Sequence, residues 1–209
     1  MKLTDIGSLE GKLTVTFSGL EALWRRIEER NEDETSRKKF LEDQVKEYIP
    51  VGIEVELTNK PDWTSSKETL TAEYDLKVPG WASGAGRRAL VPVGLFGATE
   101  KHAFEHASRV HAIYFSYPSA KIDEVTIELP LGWQVTSLPP AQNLDAKAAV
   151  YALNAENNKG SLHLTRRLNL DLLLLDAKFY PTLRNFFQTV RTGDEQQIVL
   201  QPGASAASN

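Results

Sequence analysis

The sequence predicts a β-rich fold, all-β to α+β: mainly an antiparallel β-sandwich with a few peripheral helices. Three observations lead there. Apolar and polar residues alternate strictly in segment after segment, and a period of two reads as a half-buried strand. Sheets with one wet face are usually antiparallel. Stretches with helical periodicity are few, two near the N-terminus and one near the C-terminus.

The strands follow in chain order. "LTVTF" places Leu13, Val15 and Phe17 on one face, and "IEVEL" does the same with Ile53, Val55 and Leu57. "LTAEYDLKV" alternates for nine residues, with Leu70, Ala72, Tyr74, Leu76 and Val78 inward. "VTIEL" repeats the pattern at Val125, Ile127 and Leu129. In "SLHLTRRLNLDLL" Leu162, Leu164, Leu168, Leu170 and Leu172 share a face, and Arg166 is the one misfit on it. Asn157, Asn158 and Gly160 separate that strand from "AVYALNA", which predicts a hairpin.

The helices carry their own signals. In "SGLEALWRRIEER", Leu20, Leu23, Trp24 and Ile27 fall at i, i+3, i+4 and i+7, a stripe expected to face the core. Ser18 and Glu21 fit a capping box, which would satisfy two orphaned backbone N–H groups. A second helix is expected from Ser36 to Tyr48, stopping before Pro50. "YPTLRNFFQTVRTG" puts Leu183, Phe186, Phe187 and Val190 on one face, with Pro181 suited to the start and Gly193 to the stop. Pro79 to Ser108 reads as the least regular part, a long loop around the short apolar run "ALVPVGLFG".

A chain of 209 residues can bury a sizeable core. Residues 1–201 read as one β-rich domain, with a strand-helix subdomain 1–49 and a sandwich 50–201 as the alternative division. Residues 202–209, ending in "GASAASN", read as a disordered tail. Net charge is −4, so no global field attracts nucleic acid or an acidic membrane. No run approaches the roughly 18 apolar residues of a membrane span, and "MKLTDIGSLEGK" has none of the apolar character of a signal peptide. The chain contains no cysteine. That excludes disulfides, Cys-ligated zinc and a thiol nucleophile on this chain.

Each candidate site also admits a purely structural role. "EKHAFEHASRVH" holds His102, His106 and His111. On a helix His102 and His106 could share a metal, but the order is H-A-F-E-H rather than H-E-x-x-H, and no third ligand is fixed by spacing. They are read as structural or solvated, with His111 on the apolar face of a strand and His163 on a wet face. No metal site and no cofactor is assigned. "GAGRRA" (residues 84–89) imitates a dinucleotide fingerprint, but Pro92 and Gly94 prevent the long helix that the mechanism needs. It is read as a mobile surface loop. Ser83 lies outside any G-x-S-x-G elbow. Glu54, Glu56, Glu73 and Asp75 fall on wet strand faces. Trp24 is assigned to the core of its helix. Trp63, Trp81 and Trp133 lie in loops or between strands, where they can stack on a sugar or peptide. They are read instead as plugs at the open end of the sandwich.

The chain resembles the C-terminal domain that follows the transglutaminase-like core in multidomain bacterial proteins. The pattern runs from about Gly11 to Leu200. It is carried by "SGLEALWRR", by "SRVHAIYF" with Arg109, and by "FYPTLRNFFQTV" followed by "QQIVL". The fullest part is "ELPLGWQVTSLPP", with Pro130, Gly132, Trp133, Leu138 and Pro139. The resemblance implies an internal or C-terminal piece of a longer periplasmic or extracellular protein. It also implies a partner, the upstream core, whose Cys-His-Asp set would hold the chemistry. No catalytic residue carries over. The expected role is a non-catalytic accessory domain that supports or positions that core. The alternative is an independent polysaccharide- or peptide-binding module. Neither nucleic acid nor membrane insertion is expected.

Overall fold

A computed structural model describes residues 1–49, 52–65 and 69–203. It is β-rich, 41% strand against 23% helix, so strand outweighs helix as the alternation predicts. An eight-stranded sheet is built from β1 (Lys2–Leu3), β2 (Leu9–Phe17), β3 (Glu54–Leu57), β4 (Leu70–Val78), β8 (Ser119–Glu128), β10 (Gln142–Asp145), β11 (Ala149–Asn158) and β12 (Ser161–Leu170). Its order is β10-β11-β12-β8-β1-β2-β4-β3. A four-stranded sheet orders β5 (Ser83–Ala85), β6 (Arg88–Pro92), β14 (Gln197–Pro202) and β9 (Trp133–Ser137) as β5-β6-β14-β9. β7 (Ile113–Tyr114) pairs with β13 (Leu174–Leu175). Pairing is antiparallel except between β1 and β8.

The alternating segments set which face is buried. In β4, Leu70, Ala72, Tyr74, Leu76 and Val78 are buried while Glu73 and Asp75 are exposed. β2 aligns with β4 from Leu9↔Val78 to Phe17↔Leu70, so both inner faces fall in register. β11 and β12 form the expected hairpin, turning at Lys159 and Gly160, both with positive φ. Val91, Ile198 and Leu200 of the smaller sheet join the same core.

Three helices flank the sheets: α1 (Gly19–Glu28), α2 (Glu34–Tyr48) and α3 (Tyr180–Asp194). In α2 the Asp33 side chain caps the first turn by accepting from the Ser36 N–H. Glu42 accepts from the Leu57 N–H at 2.9 Å, which occupies a backbone donor of edge strand β3. α3 buries Tyr180, Leu183, Phe186, Phe187 and Val190, the face its periodicity predicts.

Several expectations are corrected. Gly193 does not stop α3; it lies inside the last turn, and Glu195 caps the helix. A Cβ there would land on the Tyr151 hydroxyl, 2.9 Å from ring atom Cε1, so packing keeps the residue small. Residues 79–108 are more ordered than a long loop. They contain the β5–β6 hairpin and a 3-10 turn at Ala98–Glu100. "GAGRRA" is that hairpin, a strand-turn-strand, and it offers no helix N-terminus to a pyrophosphate. His111 is exposed and precedes β7. Alternation continues past it at Ile113, Phe115 and Tyr117, but only two residues find a strand partner.

The largest correction is α1. Leu20, Leu23, Trp24 and Ile27 are 52%, 39%, 49% and 48% exposed, while Ala22, Arg25 and Arg26 are buried. The helix lies with its apolar stripe outward. Arg25 stacks on the Phe17 ring at 3.9 Å and donates to Gln44 at 2.6 Å. Arg26 donates to the carbonyl oxygens of Asp62 and Thr69. These contacts engage the ends of both guanidinium groups, although Arg25 Nε stays buried without a partner, while long alkyl stems can cover apolar surface. Ser18 is the N-cap but makes no side-chain cap bond, and the Glu21 carboxylate pairs with Arg25 at 3.0 Å instead of closing a capping box.

Gly193→Ala separates propensity from packing. A helical Gly→Ala change ordinarily gains up to about 1 kcal/mol, whereas overpacking a core costs about 1–3 kcal/mol. The clash with Tyr151 predicts a net loss, read as a lower urea midpoint at unchanged slope. A raised midpoint would mean that Tyr151 yields freely.

Candidate functional site

Two features of the central sheet stand out, a buried ionic cluster and an open slot beside it. Arg166, the polar misfit of β12, is only 4% exposed. It grips Asp194 at the end of α3 with two bonds, Nε to Oδ1 and Nη2 to Oδ2, each 2.8 Å. The Tyr151 hydroxyl donates to the same Oδ1 at 2.9 Å. Arg166 also reaches Glu100 and Asp123, each at 3.4 Å. Lys121 approaches Glu100 at 2.6 Å. Glycine makes room for this: a Cβ on Gly94 or Gly97 would lie 2.7 Å from Asp194 side-chain atoms. "PVGLFG", whose Pro92 and Gly94 argue against a nucleotide loop, is thus the seat of a buried carboxylate.

Two cations therefore face three carboxyls. Burial works to lower the Arg166 pKa, but Asp194, Glu100 and Asp123 together push it further up. At Asp123 burial wins over the attraction of Arg166 and holds the carboxyl above its ordinary range. Burial and neighbouring Asp194 push the Tyr151 hydroxyl up as well, so it stays a donor. Every charge here is engaged by another, an arrangement suited to fixing β8, β12, α3 and the Ala98–Glu100 turn relative to one another.

The slot lies next to this cluster. β1 separates β2 from β8 only at one end, where Lys2 pairs with Glu10 and Glu128. Beyond it, Leu13–Phe17 of β2 and Ala120–Glu124 of β8 face each other across a cleft of about 190 Å³, which Glu21, Tyr48 and Phe96 also line. Among the described residues no strand pairs with either of these two edges. The separation is two strand spacings where β1 intervenes, about 10 Å.

The residues singled out in the sequence fall elsewhere. His102 and His106 lie in an irregular turn, not on a helix. His102 Nδ1 sits 2.9 Å from Glu105, whose carboxyl that bond holds below its usual range, and Arg191 approaches Glu105 from α3. His106 is held through its backbone, its carbonyl oxygen 2.7 Å from the Tyr180 hydroxyl. Among the described residues no group of three or more His, Asp or Glu could hold a metal ion. His163 lies on the outer face of β12, 3.2 Å from the Thr126 hydroxyl. Trp24, assigned to the core, is 49% exposed. Trp81 is 4% exposed, a plug and not a ligand platform. Trp133 is half-buried at the start of β9. Trp63 is half-buried in an open groove with Glu34, Arg37, Lys60 and Asp62, and Arg37 stands 5.4 Å over its ring. Among the described residues no helix is long and apolar enough to cross a membrane.

Two measurements probe the cluster. Arg166→Met leaves Asp194 and Glu100 buried with less compensation, and should cost about 3–5 kcal/mol in urea unfolding. Asp123 tests the sign of the charge excess. Its folded pKa is raised, so the folded state binds its proton more readily than the unfolded chain. Its contribution is most favourable below the unfolded pKa and declines as pH rises through the folded one. Asp123→Asn should therefore raise the melting temperature at pH 7 and change it little at pH 3. A drop at pH 7 would mean that the Arg166 ion pair outweighs burial.

Comparison with known proteins adds one relation. No curated protein and no solved structure matches the chain. Residues 87–200 match a family described as a domain of unknown function with solved-structure structure (DUF3858). The match spans β6 through most of β14, includes the whole ionic cluster and one wall of the slot, and leaves β2 and α1 outside. It covers more than half of the sequence, and the chain belongs to this DUF3858 family.

Proposed function

We propose that this chain is a non-catalytic accessory domain of a bacterial transglutaminase-like protein, and that it positions the catalytic core preceding it in the same polypeptide. The observation that carries this reading is the outward stripe of α1. Leu20, Leu23, Trp24 and Ile27 share one helix face and are all substantially exposed. An apolar stripe turned to solvent marks a surface that another protein covers. The occupant is the neighbouring core, as the sequence resemblance implies. With no cysteine in the chain, thiol chemistry would come from the core. The same resemblance implies a periplasmic or extracellular parent protein.

An independent polysaccharide- or peptide-binding module is the second reading, and Trp63 in its polar groove is the feature that favours it. The two readings differ in which tryptophan matters. Leu20→Ser with Trp24→Ser should leave the melting temperature of the isolated domain nearly unchanged, since both side chains are exposed. It should weaken association with the separately expressed core by at least about 30-fold, as for loss of a buried aromatic anchor. Equal affinity of the double variant and the wild type would overturn the reading.

A further inference from the structure

β1 is the shortest strand of the eight-stranded sheet and one of its central ones. Its pairing shows where its line leads. The Met1 amino group donates to the Thr126 carbonyl at 2.7 Å, and the Glu128 N–H donates to the Met1 carbonyl at 2.9 Å. Met1 is thus already a rung of the parallel ladder, opposite Ile127 of β8. On the other side the Lys2↔Glu10 register puts Met1 opposite Gly11. A Cβ on Gly11 would lie 2.9 Å from the Met1 Cα, too close to be accommodated, so glycine is what lets the two backbones approach here. Each step backward from Met1 moves further along both walls of the slot. The second residue before Met1 would face Leu13 and Val125, the fourth Val15 and Asp123, the sixth Phe17 and Lys121. Those are the walls that no described strand covers.

We propose that the slot is filled by the roughly six residues that directly precede Met1 in the longer polypeptide, extending β1 through the middle of the sheet. The strand would run parallel to β8 and antiparallel to β2. This rests on the reading of the chain as one domain of a longer protein. It supplies a second physical link to whatever precedes the domain, backbone hydrogen bonds on both sides of one strand. Continuity with the β1 ladder selects this occupant over a strand from another molecule, which would have to end against the Met1 backbone. Side-chain requirements follow from the alternation. Leu3 is buried and Met1 packs on the core. The second, fourth and sixth residues before Met1 share that inner face, with Tyr48 and Phe96 lining the cleft. These positions call for apolar or small side chains. The first, third and fifth emerge beside Lys12 and Thr126, Thr14 and Glu124, and Thr16 and Ile122, all exposed, where polar or β-branched residues fit.

The ladder also specifies which amides report on occupancy. Met1 bonds β8 through Thr126 and Glu128, so along β8 the even-numbered backbone groups face β1 and the odd-numbered ones do not. Lys2 then bonds β2, and with alternation Thr14 and Thr16 point into the slot. Amide hydrogen exchange at Thr14, Thr16, Ile122 and Glu124 should be fast in the 209-residue chain. Leu13, Val15, Asp123 and Val125, which face β4 or β12, should be protected. In the full-length polypeptide the four reporters should slow by at least about 100-fold. Replacing the six preceding residues with a Gly-Ser repeat should reopen them and leave the other four protected, which shows that the fold survives. The proposal is overturned if the reporters stay fast in the full-length polypeptide. It is also overturned if they are already slow in the 209-residue chain, whether at all concentrations or only where a second copy pairs with them. A gene in which Met1 is the initiator sinks it outright. The accessory-domain reading fails separately: an upstream sequence without a transglutaminase-like core refutes that reading and leaves the exchange test intact.

Discussion

The fork between Arg166 and Asp194 ties together elements that lie far apart in the chain. One partner sits on the inner face of β12 and the other at the last turn of α3. An arginine on an otherwise apolar strand face would carry a large desolvation cost if unpaired. The cost is offset only if a carboxylate arrives in bidentate geometry and the remaining donors find partners. That requirement fixes the position of α3 and brings in Glu100 and Asp123. It also needs the unobstructed approach that Gly94 and Gly97 provide. The Ala98–Glu100 turn, irregular in sequence, is therefore held in the interior by charge. A buried network of this kind is weak evidence for high stability, but it favours one arrangement of its parts over sliding alternatives.

The orientation of α1 follows from the same accounting applied locally. Turning Leu20, Leu23, Trp24 and Ile27 inward would gain roughly 1.5–3 kcal/mol per fully buried side chain. The observed orientation instead gives partners to two arginines, one stacked on Phe17 and bonded to Gln44, the other bonded to loop carbonyls. An isolated domain forgoes the apolar burial. A domain that rests on a neighbour, as proposed for this chain, would recover it there.

The slot and the family boundary bear on each other. The DUF3858 match begins at residue 87, so β8 belongs to the matched part while β2 does not. Yet β2, β1 and β8 lie in one sheet, and the two parts join through its shortest strand. A sheet with a partial central strand leaves backbone donors and acceptors on both flanking edges to water. Such edges are a template for a further strand. The ionic cluster borders the slot through Lys121 and Asp123, so the rigid and the open parts of the sheet share a wall.

The sequence by itself determined most strands, their buried faces, the β11–β12 turn, and the existence of all three helices. Each is a local pattern of period two or 3.6, and local patterns need no knowledge of the partner. It also marked Arg166 as an anomaly, because one charge interrupts a run of leucines. Its partner was not legible, since Asp194 stands 28 residues away and nothing local distinguishes it from other carboxylates. The amphipathic stripe of α1 was legible but its direction was not. Periodicity says that two faces differ; only the contacts of Arg25 and Arg26 decide which one turns inward. The histidines drew notice as a cluster, and tertiary structure dispersed them, because the segment is a turn and Glu105 takes His102. The slot lay outside sequence reasoning altogether. It exists because β1 and β8, more than a hundred residues apart, meet in register at one end only, and register between distant strands is set by the assembled sheet.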